Sequence, residues 1–342
     1  MDAQIGTRLL PRYQRPLTFG GVLDETFRIY RQWWSRLAGI TALSVAPGFV
    51  AFVLFGGAAA IAAIGNAGAL ANADEGSAAG IIAGLGLGFA IVSILFIVGV
   101  ILGEGATTAL TGWVMRGDER SIRDAFTVGV RRFWAVLGFA VATMVAVFVL
   151  TLVAVPLFFV GIFGVLGTLV ALVGLVMWIN RGAGERPQWL KWMIILATPF
   201  GLPIYYGVRW SLALQAVVLE GTGPLEGMRR SSELVEGHWF KVFGVWLVVG
   251  IIVSILEGIP SALIVLLGTI AGFGTQEGMA TALVVQLAAN AAQFLGWVLF
   301  GAVTFVAATV LFVDLRNRRE GADLVERLGD SGVYEPATGG AG

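Results

Sequence analysis

Apolar residues fall in seven runs, 37–65, 79–115, 133–155, 157–179, 190–219, 240–269 and 281–313, separated by short polar stretches. A helix needs about 20 apolar residues to cross a bilayer core about 30 Å thick, so every run is long enough to span. Within the runs the chain is apolar on all sides, the pattern of helices surrounded by lipid or by other helices. Three polar stretches ahead of spans read differently. In the first, Phe19, Val22, Leu23, Thr26, Phe27, Tyr30, Trp33 and Trp34 follow a 3.6-residue period, with Asp24, Glu25, Arg28, Arg31 and Gln32 opposite and Thr18 placed as a cap. In the second, Ile122, Ala125, Phe126, Val130 and Trp134 oppose Arg120, Arg123, Asp124, Arg131 and Arg132. The third opens on Thr222 and Pro224, a cap and first-turn signal, carries Arg229 and Arg230, and ends at Trp239. Such helices are predicted to lie in the membrane interface, apolar face in lipid and arginines toward anionic headgroups.

The sequence repeats. L-T-G-W-V-M-R-G at 110–117 and L-Q-A-V-V-L-E-G at 214–221 stand 104 residues apart, and Trp34, Trp134 and Trp239 stand 100 and 105 apart. The pattern is three copies, about 17–115, 118–219 and 222–315, of one unit: amphipathic helix, span, polar turn, returning span. The expected fold is therefore an all-α polytopic membrane bundle. It has an amphipathic N-terminal segment 1–36, an integral domain 37–315, and a basic stop with a flexible tail at 316–342.

Charge changes the picture by fixing the crossing count. Basic residues near span ends favour the cytoplasmic side. Seven crossings would leave 14 Lys and Arg inside and 7 outside, whereas six place 18 inside and 3 outside. Six crossings with both ends cytoplasmic is the expectation, in a plasma membrane and with no cleavable signal peptide. One apolar segment within 133–219 must then be broken or re-entrant, with Pro156 and the pair Pro199 and Pro203 as break points.

Composition narrows the chemistry. Of 342 residues 57% are hydrophobic and 13% charged, none is Cys and one is His, His238. Disulfides, thiolate sites, a cysteine nucleophile and paired-histidine metal sites are thereby excluded. No nucleotide-binding loop fits: neither Lys191 nor Lys241 follows a glycine loop, and no G-x-S-x-G occurs. No cofactor and no nucleic acid are expected. Gly80, Gly84 and Gly88, with Gly99 and Gly103, read as close helix packing. The sharper features are polar residues inside spans, where a charge costs at least about 2.5–3.5 kcal/mol. Glu104, Arg209 and Glu257 qualify, and Gln286, Asn290 and Gln293 share one face of the last span at i, i+4 and i+7. Arg209 is expected to pair with Glu257 or Glu104. The whole cluster could instead line a polar cavity. The candidate lipid-headgroup contacts are Arg28, Arg31, Trp34, Arg131, Arg132, Trp134, Arg229, Arg230 and Trp239.

L-T-F-G-G-V-L-D-E-T-F-R-I-Y-R at 17–31, A-V-V-L-E-G at 216–221 with M-R-R-S-S-E-L-V-E-G-H-W-F at 228–240, and F-V-D-L-R-N-R-R-E-G-A-D-L at 312–324 stand in order. They resemble the glycerophosphoryl diester phosphodiesterase membrane-domain family and, more distantly, the small YciC-like inner-membrane proteins. Where that family carries a phosphodiesterase, catalysis belongs to a soluble domain with histidines and carboxylates around a metal. The resemblance therefore implies a membrane part and no activity here. The expected role is non-catalytic contact with lipids, anionic headgroups above all, or scaffolding of a protein partner. Transport of a small polar or lipid-like solute is the alternative, and a membrane-embedded lipid enzyme comes third.

Overall fold

The computed structural model describes residues 13, 16–65, 75–159, 201–272 and 278–330. Every regular element among them is helical: α1 Phe19–Gly65, α2 Glu75–Arg116, α3 Ile122–Phe159, α4 Gly201–Trp210, α5 Ala213–Gln215, a π-helical turn Ala216–Glu220, α6 Pro224–Val235, α7 Trp239–Gly272, α8 Gly278–Phe300 and α9 Ala302–Asp330. Among the described residues, six segments are long and apolar enough to cross a membrane: Phe19–Phe55, Ala83–Arg116, Ile122–Leu152, Gly201–Glu220, Trp239–Ile270 and Val284–Glu320. The all-α, six-span architecture is as the pattern predicts. The part of the run 157–179 beyond Phe159, Pro199 and the tail beyond 330 lie outside the described residues. Pro156 lies within α3, and Pro203 lies within α4.

The amphipathic stretches join their spans in three ways. Helix α1 is 47 residues long and breaks at Trp33, whose backbone leaves helical values (φ −117°, ψ 16°) where the polar face ends and the apolar run begins. The second stretch runs into its span as the single helix α3. The third is a helix of its own, α6, separated from α7 by a turn at 236–238. Caps explain the starts. The Thr18 hydroxyl accepts from the Gly21 amide at 3.1 Å. Ser121 and Asp124 form a reciprocal box, the Ser121 amide donating to Asp124 Oδ2 at 3.1 Å and the Asp124 amide to Ser121 Oγ at 3.2 Å. At α6 the expectation fails in part. Pro224 opens the helix, but the cap is Gly223, and the buried Thr222 hydroxyl has no hydrogen-bond partner. Gly117 and Gly221, 104 residues apart in the sequence, close their helices at φ 81° and 78°, a left-handed conformation that glycine adopts without strain.

The chain divides into two compact units, Met1–Phe133 with Val245–Val310, and Trp134–Gly244 with Leu311–Gly342. In the first unit α1 lies along α2 at van der Waals closeness, because glycine stands at each contact. A Cβ on Gly48 would sit 2.9 Å from the Phe96 Cα, one on Gly103 would sit 2.6 Å from Ser44 Oγ, and one on Gly99 would strike the Ser44 carbonyl oxygen. Helix α8 meets α7 in the same way, Gly296 against the Glu257 backbone. The glycine stripe thus divides: Gly88, Gly99 and Gly103 pack as expected, whereas a side chain at Gly80 or Gly84 would meet nothing within 4 Å.

This division predicts opposite outcomes for one chemical change. Gly99→Ala should lower stability by about 1–3 kcal/mol, the cost of overpacking a closed contact. Gly84→Ala should stay within about 0.5 kcal/mol of the parent. Thermal unfolding of both variants in detergent reads the difference.

Candidate functional site

In the second unit, charged residues of two of the sequence motifs, 216–221 with 228–240 and 312–324, converge. The segment A-V-V-L-E-G is the π-helical turn with its glycine cap, ending on Glu220. Arg230 of α6 donates from Nε to Glu220 Oε2 at 3.1 Å and from Nη2 to Glu320 Oε1 of α9 at 2.7 Å. Burial opposes the charge on Arg230, but the bonds and attraction of Glu220 and Glu320 outweigh it and raise its pKa above the ordinary arginine value. One turn away, Arg319 donates to the Glu233 carbonyl oxygen. A second cluster forms where α7 begins. Lys241 Nζ lies 2.6 Å and Arg318 Nε 3.1 Å from Oδ2 of Asp314, whose side chain has no exposed surface. Sequence reasoning missed Glu220, Lys241, Asp314, Arg318 and Glu320 as a constellation. The available signal was that Glu220, Asp314, Arg318 and Glu320 lie in motifs already singled out, with Lys241 one residue beyond 228–240.

The same unit places Arg209 in the last turn of α4, at a break in the span. The chain leaves the helix at Ser211–Leu212 and resumes at Ala213. Ser231 of α6, fully buried, donates to the Arg209 carbonyl oxygen at 2.6 Å and accepts from the Leu212 amide at 3.1 Å. The Arg209 guanidinium donates to the Tyr205 hydroxyl at 3.3 Å and sits 5.7 Å from that ring's centroid. The Trp239 indole N–H donates to the Tyr205 carbonyl oxygen at 3.2 Å, and its ring stacks on Phe243 at 5.1 Å.

The carboxylates Glu104 and Glu257 belong to the first unit, as do the amides. Glu257 Oε1 is buried with no hydrogen-bond partner. The Gln286 amide donates to Asn290 Oδ1 at 2.9 Å, and Ser261 of α7 donates to Gln293 Oε1 at 2.9 Å. The predicted face of α8 therefore exists as a hydrogen-bonded row. Asn290 also lines an open cleft of about 660 Å³ walled by α1, α2 and α8. Among the described residues, no three of His, Asp and Glu gather as a metal ion would need.

The candidate headgroup contacts separate into two groups. Arg28 is engaged by Glu25 and by the Tyr13 hydroxyl, at 3.2 Å, Arg230 by its two carboxylates, and Trp239 by aromatic packing. Arg132 is partly buried. Arg31 and Arg131 are exposed, as are Trp34 (53%), Trp134 (77%) and the Arg229 side chain (76%), which faces Glu233 one turn on at 3.5 Å. The amphipathic helices also differ from expectation on their apolar faces. Val22, Thr26 and Ile29 of α1, Ala125 of α3, and Met228 and Leu234 of α6 are buried in protein. Among their described residues, Phe19, Val130, Leu225 and the two tryptophans present large apolar surface of the kind expected for lipid. These buried positions show each of the three helices packed on protein along one side.

No protein-family model, curated protein or solved structure matches the chain.

Asp314 should be the most costly of these charges to remove. Asp314→Asn leaves Lys241 and Arg318 facing a neutral amide, and stability should fall by about 3 kcal/mol, the low end for a broken buried pair because both cations reach solvent. Adding Lys241→Met should restore part of the loss. Denaturant unfolding of the single and double variants measures both.

Proposed function

We propose that this chain is a non-catalytic integral protein of the plasma membrane that binds anionic lipid headgroups along its cytoplasmic face, and that it belongs to the glycerophosphoryl diester phosphodiesterase membrane-domain family. One observation carries the lipid part. The charges that the protein uses for itself are neutralised in pairs, while Arg31 and Arg131 keep exposed side chains; Arg229 is exposed as well, but it faces Glu233 at 3.5 Å. Trp34 and Trp134, both exposed, each stand three residues after one of these arginines in the sequence. A guanidinium over phosphate with an indole at the headgroup level is the pairing an anionic interface favours. Two of the three motifs that suggest the family, 216–221 with 228–240 and 312–324, hold the Glu220–Arg230–Glu320 cluster and, with the adjoining Lys241, the Asp314–Arg318 cluster, which supports reading these two as structural signatures.

Transport keeps one supporting observation, the buried and unbonded Glu257 Oε1. Loss of solute flux in Glu257→Gln with lipid retention unchanged would favour that reading.

Two measurements test the proposal. Replacing Arg31, Arg131 and Arg229 together with glutamine should weaken co-purification of phosphatidylglycerol by about fivefold for each arginine removed, with the melting temperature unchanged; undiminished retention would leave these residues as anchors only. The chain has no native cysteine, so orientation can be read directly. Cysteines at Gln32, Glu119 and Arg229 should resist an impermeant thiol reagent in intact cells, and one at Asn72 should react. The reverse pattern would invert the topology.

A further inference from the structure

The first unit holds a cleft of about 660 Å³ between three spans, and its construction is specific. Two of its walls are fixed by the glycine contact of Gly48 on Phe96. Its base is closed by Phe49 of α1 stacked on Phe294 of α8, ring centroids 3.9 Å apart. Its rim residues Val53, Ile97 and Leu287 are more than half exposed. An interior packed to native density leaves no void of this size, and on helices of membrane-spanning length the surrounding solvent is hydrocarbon. A hydrocarbon chain is therefore what reaches the cleft.

The polar groups narrow the occupant further. Among the described residues no charged side chain lines the cleft; its polar side chains are Ser93 on α2 and Asn290 on α8. The bond from Gln286 occupies one acceptor site of Asn290 and leaves its NH₂ to donate elsewhere, as the Ser93 hydroxyl can. Amide and hydroxyl donors facing hydrocarbon are costly until an acceptor meets them. The complement is a neutral acceptor at the neck of a chain. An ester carbonyl has that character; a phosphate would find no cation here.

We infer that the cleft walled by α1, α2 and α8 is a binding site for one acyl chain of an ester-linked glycerolipid, with Asn290 and Ser93 donating to the ester carbonyl. The inference rests on the proposed lipid-contacting role only in placing the unit in a bilayer. It involves a neutral neck and not a headgroup charge, so zwitterionic lipid separates the two. The probe is phosphatidylcholine carrying a diazirine on one acyl chain, photolysed with the full-length protein in nanodiscs, and the adducts are mapped by mass spectrometry.

Adducts should concentrate at 48–53, 92–97 and 287–294, and Ala291→Phe or Val53→Phe should abolish that concentration. Both positions are exposed, so the added ring blocks the cleft without entering the core. Asn290→Leu should reduce retention of diester phosphatidylcholine about fivefold, the worth of one net hydrogen bond, and leave the dialkyl-ether analogue unaffected. Adducts spread evenly onto outward positions such as Met144 and Phe148 would overturn the site. Equal retention of ester and ether lipids by the parent protein would overturn the carbonyl assignment. Neither result depends on Arg31, Arg131 or Arg229, so loss of anionic-lipid binding in their glutamine variants leaves this test intact.

Discussion

Ser231 supplies the two hydrogen bonds on which the second unit depends. A span that leaves its helix inside a bilayer strands a carbonyl and an amide, and no water is there to take them. The Ser231 hydroxyl takes both, donating to the Arg209 carbonyl and accepting from the Leu212 amide. For the hydroxyl to reach, α6 must press against the break, and Gly227 permits it: a Cβ there would lie 2.8 Å from Val217 Cγ2 and 3.1 Å from the Ala213 carbonyl oxygen. With α6 so placed, Arg230 falls between Glu220 and Glu320, and Arg319 reaches the Glu233 carbonyl. The ionic clusters are thus consequences of how the break is sealed. They tie α6, the π-helical turn and α9 around a backbone defect that would otherwise admit water.

What was legible in the sequence follows from the range over which each interaction acts. Span positions are set by runs of apolar residues, and the break of α1 at Trp33 by the point where the polar face ends, so both could be read locally. The Ser121–Asp124 box spans three residues. The contact of Arg230 with Glu320 spans ninety, and no periodicity announces it. Thr222 misled because a threonine before proline is a good cap in general, yet Gly223 occupies the cap position and lets the chain turn into α6. The glycine stripe misled in a similar way. Spacing of four places glycines on one face, but only the partner helix decides which of them are covered, and α1 covers Gly88, Gly99 and Gly103.

The amphipathic helices show the limit of reading a helix from its own period. The pattern around Val22 and Thr26 gives an apolar face correctly, but period alone does not distinguish a face covered by lipid from one covered by protein. Both residues are fully buried. The amide row of α8 carries the complementary lesson. Its spacing foretold a shared face, and Gln286 and Asn290 do bond along it, but its use depends on an open cleft whose walls come from α1 and α2, about 240 and 200 residues earlier in the chain.

One consequence concerns what a charge count measures. Arg28, Arg230, Lys241 and Arg318 enter the positive-inside tally on the same footing as Arg31, Arg131 and Arg229. Orientation is decided largely by basic residues, with carboxylates contributing little. Pairing Arg230 with Glu220 and Glu320, or Lys241 and Arg318 with Asp314, therefore leaves the topological signal in place. Lipid affinity depends on the field reaching the headgroups within about a Debye length, and there a neutralised guanidinium adds little. Under the proposed lipid-contacting role, the arginines that count toward orientation would thus form a larger set than those that meet headgroups, and pairing with carboxylates is what distinguishes Arg28, Arg230 and Arg318 from Arg31 and Arg131.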